Sequence, residues 1–162
     1  MVSHAPSFEA CAFRVGEHSF AVDSGCVAEV LHAAKLTPVP LAPEAIAGLL
    51  HLRGRIVPVI DVRRRLGLPA AAAETPRTNL VIELGDDSYS LLVDEVLDVQ
   101  AIPLDRIEPT AAGAERAAAE AVTGVFAAET RLIHLLDPER LVQSLIKQRL
   151  TPFVRHGVSH DG

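Results

Sequence analysis

The chain has 162 residues, 49% of them hydrophobic and 22% charged, which suffices for one domain with a substantial core. With 15 Lys and Arg against 21 Asp and Glu the formal charge is −6, which argues against a protein held to nucleic acid by general phosphate neutralisation. No stretch reaches the roughly 18 uncharged apolar residues of a membrane span, and the start, from Met1 to Glu9, has neither a charged segment nor an apolar run of a secretory signal. A cytosolic protein is expected, with Cys11 and Cys26 as buried thiols.

In chain order, the segment Phe13 to Phe20 reads as two strands around a turn at Gly16 to His18, and Val27 to Val30 as a third. Thr37 to Pro43 is rich in proline, and Glu44 to Ala47 fits one helical turn ended by Gly48. A strand over Ile56 to Ile60 leads to Asp61, placed to cap a short helix from Val62. Leu68 to Arg77, small residues bracketed by prolines, forms a connector. Then the pattern starts again. Ile82 to Tyr89 repeats Phe13 to Phe20 at an offset of 69, and Val96 to Val99 repeats Val27 to Val30 at the same offset. Gly124 to Asp137 repeats Gly48 to Asp61 at an offset of 76. The difference of seven places an insertion within Ala111 to Ala121. Asp137 caps a second helix whose apolar residues Leu141, Val142, Leu145 and Ile146 recur at helical spacing. The tail from Thr151 to Gly162 has little periodicity and is expected to be flexible. Two copies of a small all-β unit are the reading.

The sequence contains no Gly-rich phosphate loop, nucleophile elbow, His-Glu-x-x-His or Cys-x-x-Cys, so an enzyme of unknown type has no supporting constellation. The seven histidines are scattered without metal-ligand spacing, and neither a metal nor a cofactor is expected. Asp94 and Glu95 would point to opposite faces of a strand, and read as a solvated strand end or turn rather than a carboxylate pair. Arg53 and Gly54 form a turn ahead of a strand. Arg53 there either presents its planar head to a partner carboxylate, or is solvated or ties down a neighbouring loop. The second copy has Glu129 and Thr130 in place of Arg53 and Gly54, which favours a specific role for the pair. Charge is also uneven: His51 to Arg77 carries +4 (six bases, two acids) and Glu83 to Asp98 carries −6 (six acids, no base). Opposite poles of this kind suit head-to-tail association or a position between unlike partners. Nucleic acid could use only Arg63, Arg64 and Arg65, and the stacking aromatics are missing.

Taken together, Phe13-x-x-Gly16, Val27 to Val30, Thr37-x-Val39-Pro40, Ile46-x-Gly48, Leu52-Arg53-Gly54-x-Ile56 to Arg63, Leu91 to Val99, Thr123-Gly124 and Leu135 to Asp137 resemble the CheW family of bacterial chemotaxis coupling proteins. The resemblance spans Phe13 to Val142. It implies a mainly β fold of two pseudo-repeated, five-stranded SH3-like barrels with short helices. A single domain over residues 8–150 is expected, with subdomains at about 10–68 and 78–146 and a linker at 69–77. It further implies a non-catalytic adaptor that couples the cytoplasmic tips of methyl-accepting chemoreceptors to the regulatory domain of a CheA-type histidine kinase. Such a protein works in the cytoplasm, recruited to membrane-associated receptor arrays, without membrane insertion or nucleic acid. The partner-binding residues it implies are Val27, Glu29, Val30, Gly48, Arg53, Gly54 and Val96, although Val27 and Val96 occupy equivalent repeat positions and also suit a core. His51 stands where the family usually has Asn. An adaptor of a kinase pathway outside chemotaxis, for twitching or gliding motility or gene regulation, is the alternative.

Overall fold

The computed structural model describes residues 6–72, 74–109 and 121–145. Most of the alanine-rich insertion and the whole tail lie outside them. The strands of the first copy are β1 (Ser7–Val15), β2 (His18–Asp23), β3 (Val27–Leu31), β4 (Ile46–Leu52) and β5 (Arg55–Asp61), followed by helix α1 (Val62–Arg65). The second copy supplies β6 (Thr78–Leu84), β7 (Asp87–Val93), β8 (Glu95–Pro103), β9 (Ile107–Pro109), β10 (Val122–Ala127) and β11 (Leu132–Leu136), then helix α2 (Pro138–Leu145). The fold is mainly β, with two short helices among the described residues.

The strands form a six-stranded sheet, in the order β8-β1-β2-β11-β10-β9, and a five-stranded sheet, in the order β3-β6-β7-β5-β4. Each sheet therefore takes its hairpin from one copy and its later strands from the other. The exchange is sealed by parallel pairing of β2 with β11 and of β5 with β7. The expected division at 69–77 separates the two sequence copies, whereas the sheets cut across it. The sheets differ in strand number because the counterpart of β9 in the first copy is a single bridge, Thr37 to Leu49.

Alternation along the strands builds the interior. Cys11, Phe13 and Val15 of β1 join Leu80 and Ile82 of β6 in a core shared by both sheets, onto which Leu141, Val142 and Leu145 of α2 also pack. The intervening residues face the other way. Ala10, Ala12 and Ala21 line a second cluster with Ile102, Phe126, Ile133 and Leu135, all from the six-stranded sheet. Leu50, Val57, Val59, Val81 and Leu92 form a third within the five-stranded sheet.

The repeat extends to the caps. Asp61 accepts bonds from the Arg63 and Arg64 amides at 3.0 and 3.4 Å, and Asp137 accepts from the Glu139 and Arg140 amides at the same two distances. One expected element is corrected: Glu44 to Ala47 makes no helical turn. The Ile46 amide bonds Pro43 O at 2.9 Å in a turn, and β4 begins at Ile46. The proline-rich segment crosses β4 there, with Thr37 and Leu49 exchanging backbone bonds of 2.8 Å each. Gly48 is the bulge that admits it, since a Cβ would lie 2.8 Å from Thr37 O. Gly124 is the equivalent bulge in β10, where a Cβ would meet Ile107 at 2.7 Å.

Candidate partner-binding surface

The turn between β4 and β5 has two residues, with φ of +51° at Arg53 and +79° at Gly54, the pattern of a type I′ hairpin. Glycine takes this backbone freely; arginine does so at a cost in strain, which the hairpin register imposes. The turn carries the Arg53 side chain, 71% exposed, over to the opposite edge of the five-stranded sheet. There its guanidinium bonds both carboxylate oxygens of Glu29, Nη1 to Oε2 and, at 3.3 Å, Nη2 to Oε1. The fork-on-carboxylate geometry suits both groups. Hydrogen bonding from Arg53 holds the Glu29 carboxyl below its usual range, and bonding to Glu29 raises Arg53 further.

Glu29 faces outward because of a bulge. Between Val27 and Glu29 the register of β3 on β6 shifts by one residue, so Val27 and Val30 both pack half-buried on the shared core. Val96, the repeat partner of Val27, does the same from β8, opposite Phe13. The expected surface residues thus separate. Glu29, Arg53 and Gly54 meet at one seam; Val27 and Val30 flank that seam with their side chains turned inward; Gly48 sits against Thr37; Val96 belongs to the other sheet. His51 lies exposed on β4, opposite Ile56.

The six-stranded sheet has the same seam, which residue-by-residue matching overlooked. Asp98 on β8 is the repeat counterpart of Glu29, and its Oδ1 accepts from Arg131 Nη2 at 3.2 Å. Arg131 stands in the β10–β11 connection, two places after the residue that aligns with Arg53. The offset of 69 would have pointed to Asp98; the shifted arginine hid its partner. Exposed apolar residues flank both seams: Ile56 at 54% beside the first, its counterpart Leu132 at 56% beside the second, and Val99, also at 56%, next to Asp98.

Two charge expectations change. Asp94 is no solvated strand end: its side chain is 2% exposed and accepts bonds from Arg63 Nη2 at 2.6 Å and the Gly16 amide at 2.8 Å, while Arg14 lies 3.5 Å away. Burial pushes its carboxyl upward, but the Arg63 and Gly16 hydrogen bonds and the charges of Arg63 and Arg14 outweigh burial and hold it below the ordinary value. Glu95 turns outward to Arg14 instead. The basic segment also does not stand as a free pole, because Arg63 pairs with Asp94 within the chain. Arg64 and Arg77 pair with Asp61 at 3.6 and 2.8 Å, and Arg65 is buried with its Nε 2.8 Å from Leu141 O of α2. The arginine triplet is thereby tied into the fold.

Among the described residues no group of three or more His, Cys, Asp and Glu gathers at one point. No described helix is long and apolar enough to cross a membrane.

Comparison with known proteins agrees with this architecture. Residues 9–145 match the model of the CheW-like domain family. The chain is 34% identical to the chemotaxis protein CheW of Rhizobium meliloti (strain 1021), covering 84% of this chain and 88% of that one. It is 37% identical to protein FrzA of Myxococcus xanthus, over 86% and 88% of the two chains. The crystal structure of the scaffolding protein TtCheW from Thermoanaerobacter tengcongensis superposes with a TM-score of 0.72 at 26% identity, covering 82% of this chain and 90% of that one. With its duplicated strands, matched bulges and paired helix caps, the chain belongs to the CheW family.

Proposed function

We propose that this protein is a non-catalytic chemotaxis adaptor, coupling the cytoplasmic tip of methyl-accepting chemoreceptors to the regulatory domain of a CheA-type histidine kinase. Relatives named chemotaxis protein CheW and a structural neighbour named a scaffolding protein support the reading. The observation that carries the site is the Arg53 turn: a strained, exposed arginine held at the sheet seam by Glu29. A receptor helix docking beside Val27, Val30 and Gly48 meets Arg53 at the rim, and its carboxylate competes with Glu29 for the guanidinium. The second seam, Asp98 and Arg131 between the exposed Val99 and Leu132, offers the kinase domain a separate face. Interfaces of this size are individually modest and gain strength in arrays.

The hairpin exchange supports one folding unit over residues 8–150, because neither copy holds a complete sheet by itself. The protein works in the cytoplasm at membrane-associated receptor arrays, without inserting into lipid. The reading is tested by calorimetry of the protein with a CheA-type kinase and with a soluble receptor fragment. Binding to both, with receptor binding lost in an Arg53→Ala protein that remains folded, is expected. Binding to neither by a folded protein overturns it. The relationship to FrzA, a relative not named as a chemotaxis protein, favours one second reading, an adaptor of another kinase pathway. A kinase from that pathway binding more tightly than the chemotaxis kinase would select it.

A further inference from the structure

His18 opens β2 and His134 lies on β11, strands that run side by side in parallel. The register places His134 beside Phe20, so His18, two residues before Phe20, projects from the same face. The two imidazole centroids stand 6.1 Å apart, with the ring planes at 72°. Both rings lean on Phe20, His18 at 6.2 Å and His134 at 5.5 Å. Phe20 itself is buried in the shared core and fixes the floor of the cluster. His134 is half-buried, whereas His18 is exposed.

Two imidazoles on neighbouring strands at this separation stand near the spacing of a chelating pair. With metal–nitrogen bonds of about 2.0 to 2.1 Å, ring centroids lie about 5 Å apart in a tetrahedral site and about 4.5 Å apart on neighbouring positions of a tetragonal one, so His18 must move about 1 to 1.5 Å with a rotation of its ring. No thiolate or carboxylate completes a set of three here, among the described residues. A nitrogen-only pair with open positions suits late first-row divalent ions and, by their general order of affinity, Cu(II) before Ni(II) and Zn(II).

We propose that His18 and His134 form a two-imidazole binding site for a late first-row divalent cation, with water in the remaining positions. The cation would link β2 of the first copy to β11 of the second, and so stabilise the exchange of hairpins on which the fold depends.

The test is Cu(II) binding to the metal-free full-length protein, followed by calorimetry and electron paramagnetic resonance. Because His4, His156 and His160 can also bind copper, the parent for all measurements carries alanine at these positions. One equivalent bound, with hyperfine structure from two nitrogens and a raised thermal midpoint, is expected. His18→Ala should weaken binding by at least about tenfold. His134→Phe, which keeps a ring against Phe20, should do the same while preserving the fold by circular dichroism. Loss of all binding in the parent, or single variants that bind within twofold of it, would overturn the site.

Discussion

Arg131 donates to Asp98 at 3.2 Å in the six-stranded sheet, where it does for the second copy what Arg53 does for Glu29 in the first. Both pairs join an outer strand to the tip of a hairpin arriving from the far side of its sheet. The absence of Arg-Gly from the second copy therefore does not mark Arg53 as dispensable to the fold. Arg53 holds a seam as well as facing solvent, and the two roles call for separate tests.

Charge reversal separates them. Arg53→Glu sets two carboxylates against each other and should lower both the thermal midpoint and receptor-fragment binding. The double variant Glu29→Arg, Arg53→Glu restores the pair with its signs exchanged. Recovery of the midpoint without recovery of binding, measured by calorimetry and thermal melts, is the expected outcome; recovery of both would leave Arg53 with the seam alone.

Asp94 links three parts of the fold: the β1–β2 turn, α1 and the start of β8. Asp94→Asn removes the charge facing Arg63 and should cost about 2 kcal/mol, read by urea denaturation at pH 7. The pH dependence follows from its lowered carboxyl. A carboxyl more acidic in the folded state contributes stability that is complete above its unfolded value, near 4, and is lost as pH falls through the folded value. Wild-type stability should thus drop more steeply than that of Asp94→Asn as the pH falls below about 4. Parallel curves would assign the acid sensitivity to other groups.

Gly48 and Gly124 are interchangeable in role if the repeat is structural. Alanine at either should destabilise by about 1 to 3 kcal/mol, since its methyl group collides with Thr37 O in one case and Ile107 in the other. The collision at Gly48 is with backbone, which cannot swing aside, so Gly48→Ala should be the worse of the two in denaturant melts.

Val99 and Leu132 expose apolar surface beside the second seam without supporting the core. Replacing both with Lys should shift the thermal midpoint by no more than about 2 °C while weakening kinase-domain binding at least about tenfold. Intact binding would move the kinase contact elsewhere on the protein.

Much of this fold was legible in the one-dimensional pattern. Gly16 and Gly85 marked the hairpins, Asp61 and Asp137 the helix caps, and the offsets of 69 and 76 the duplication, because each is a local requirement of backbone geometry. Glu44 to Ala47 misled for a related reason. A proline is well placed at the first position of a helical turn, and only the approach of Thr37 shows that Gly48 is a strand bulge. Of the proposed surface residues, Glu29 and Arg53 were each named separately, but their contact was not, since 24 residues and a sheet edge separate them.

By itself the sequence determined the strand content, the duplication and the family, all of which rest on short-range spacing. Tertiary structure alone decided which strand pairs with which. A strand's alternation records which face is buried but not the identity of its neighbour, and a parallel partner is never adjacent in the chain. The exchange of hairpins, the burial of Asp94, the two seams and the meeting of His18 with His134 all follow from that pairing, because each joins residues that only the sheets bring together.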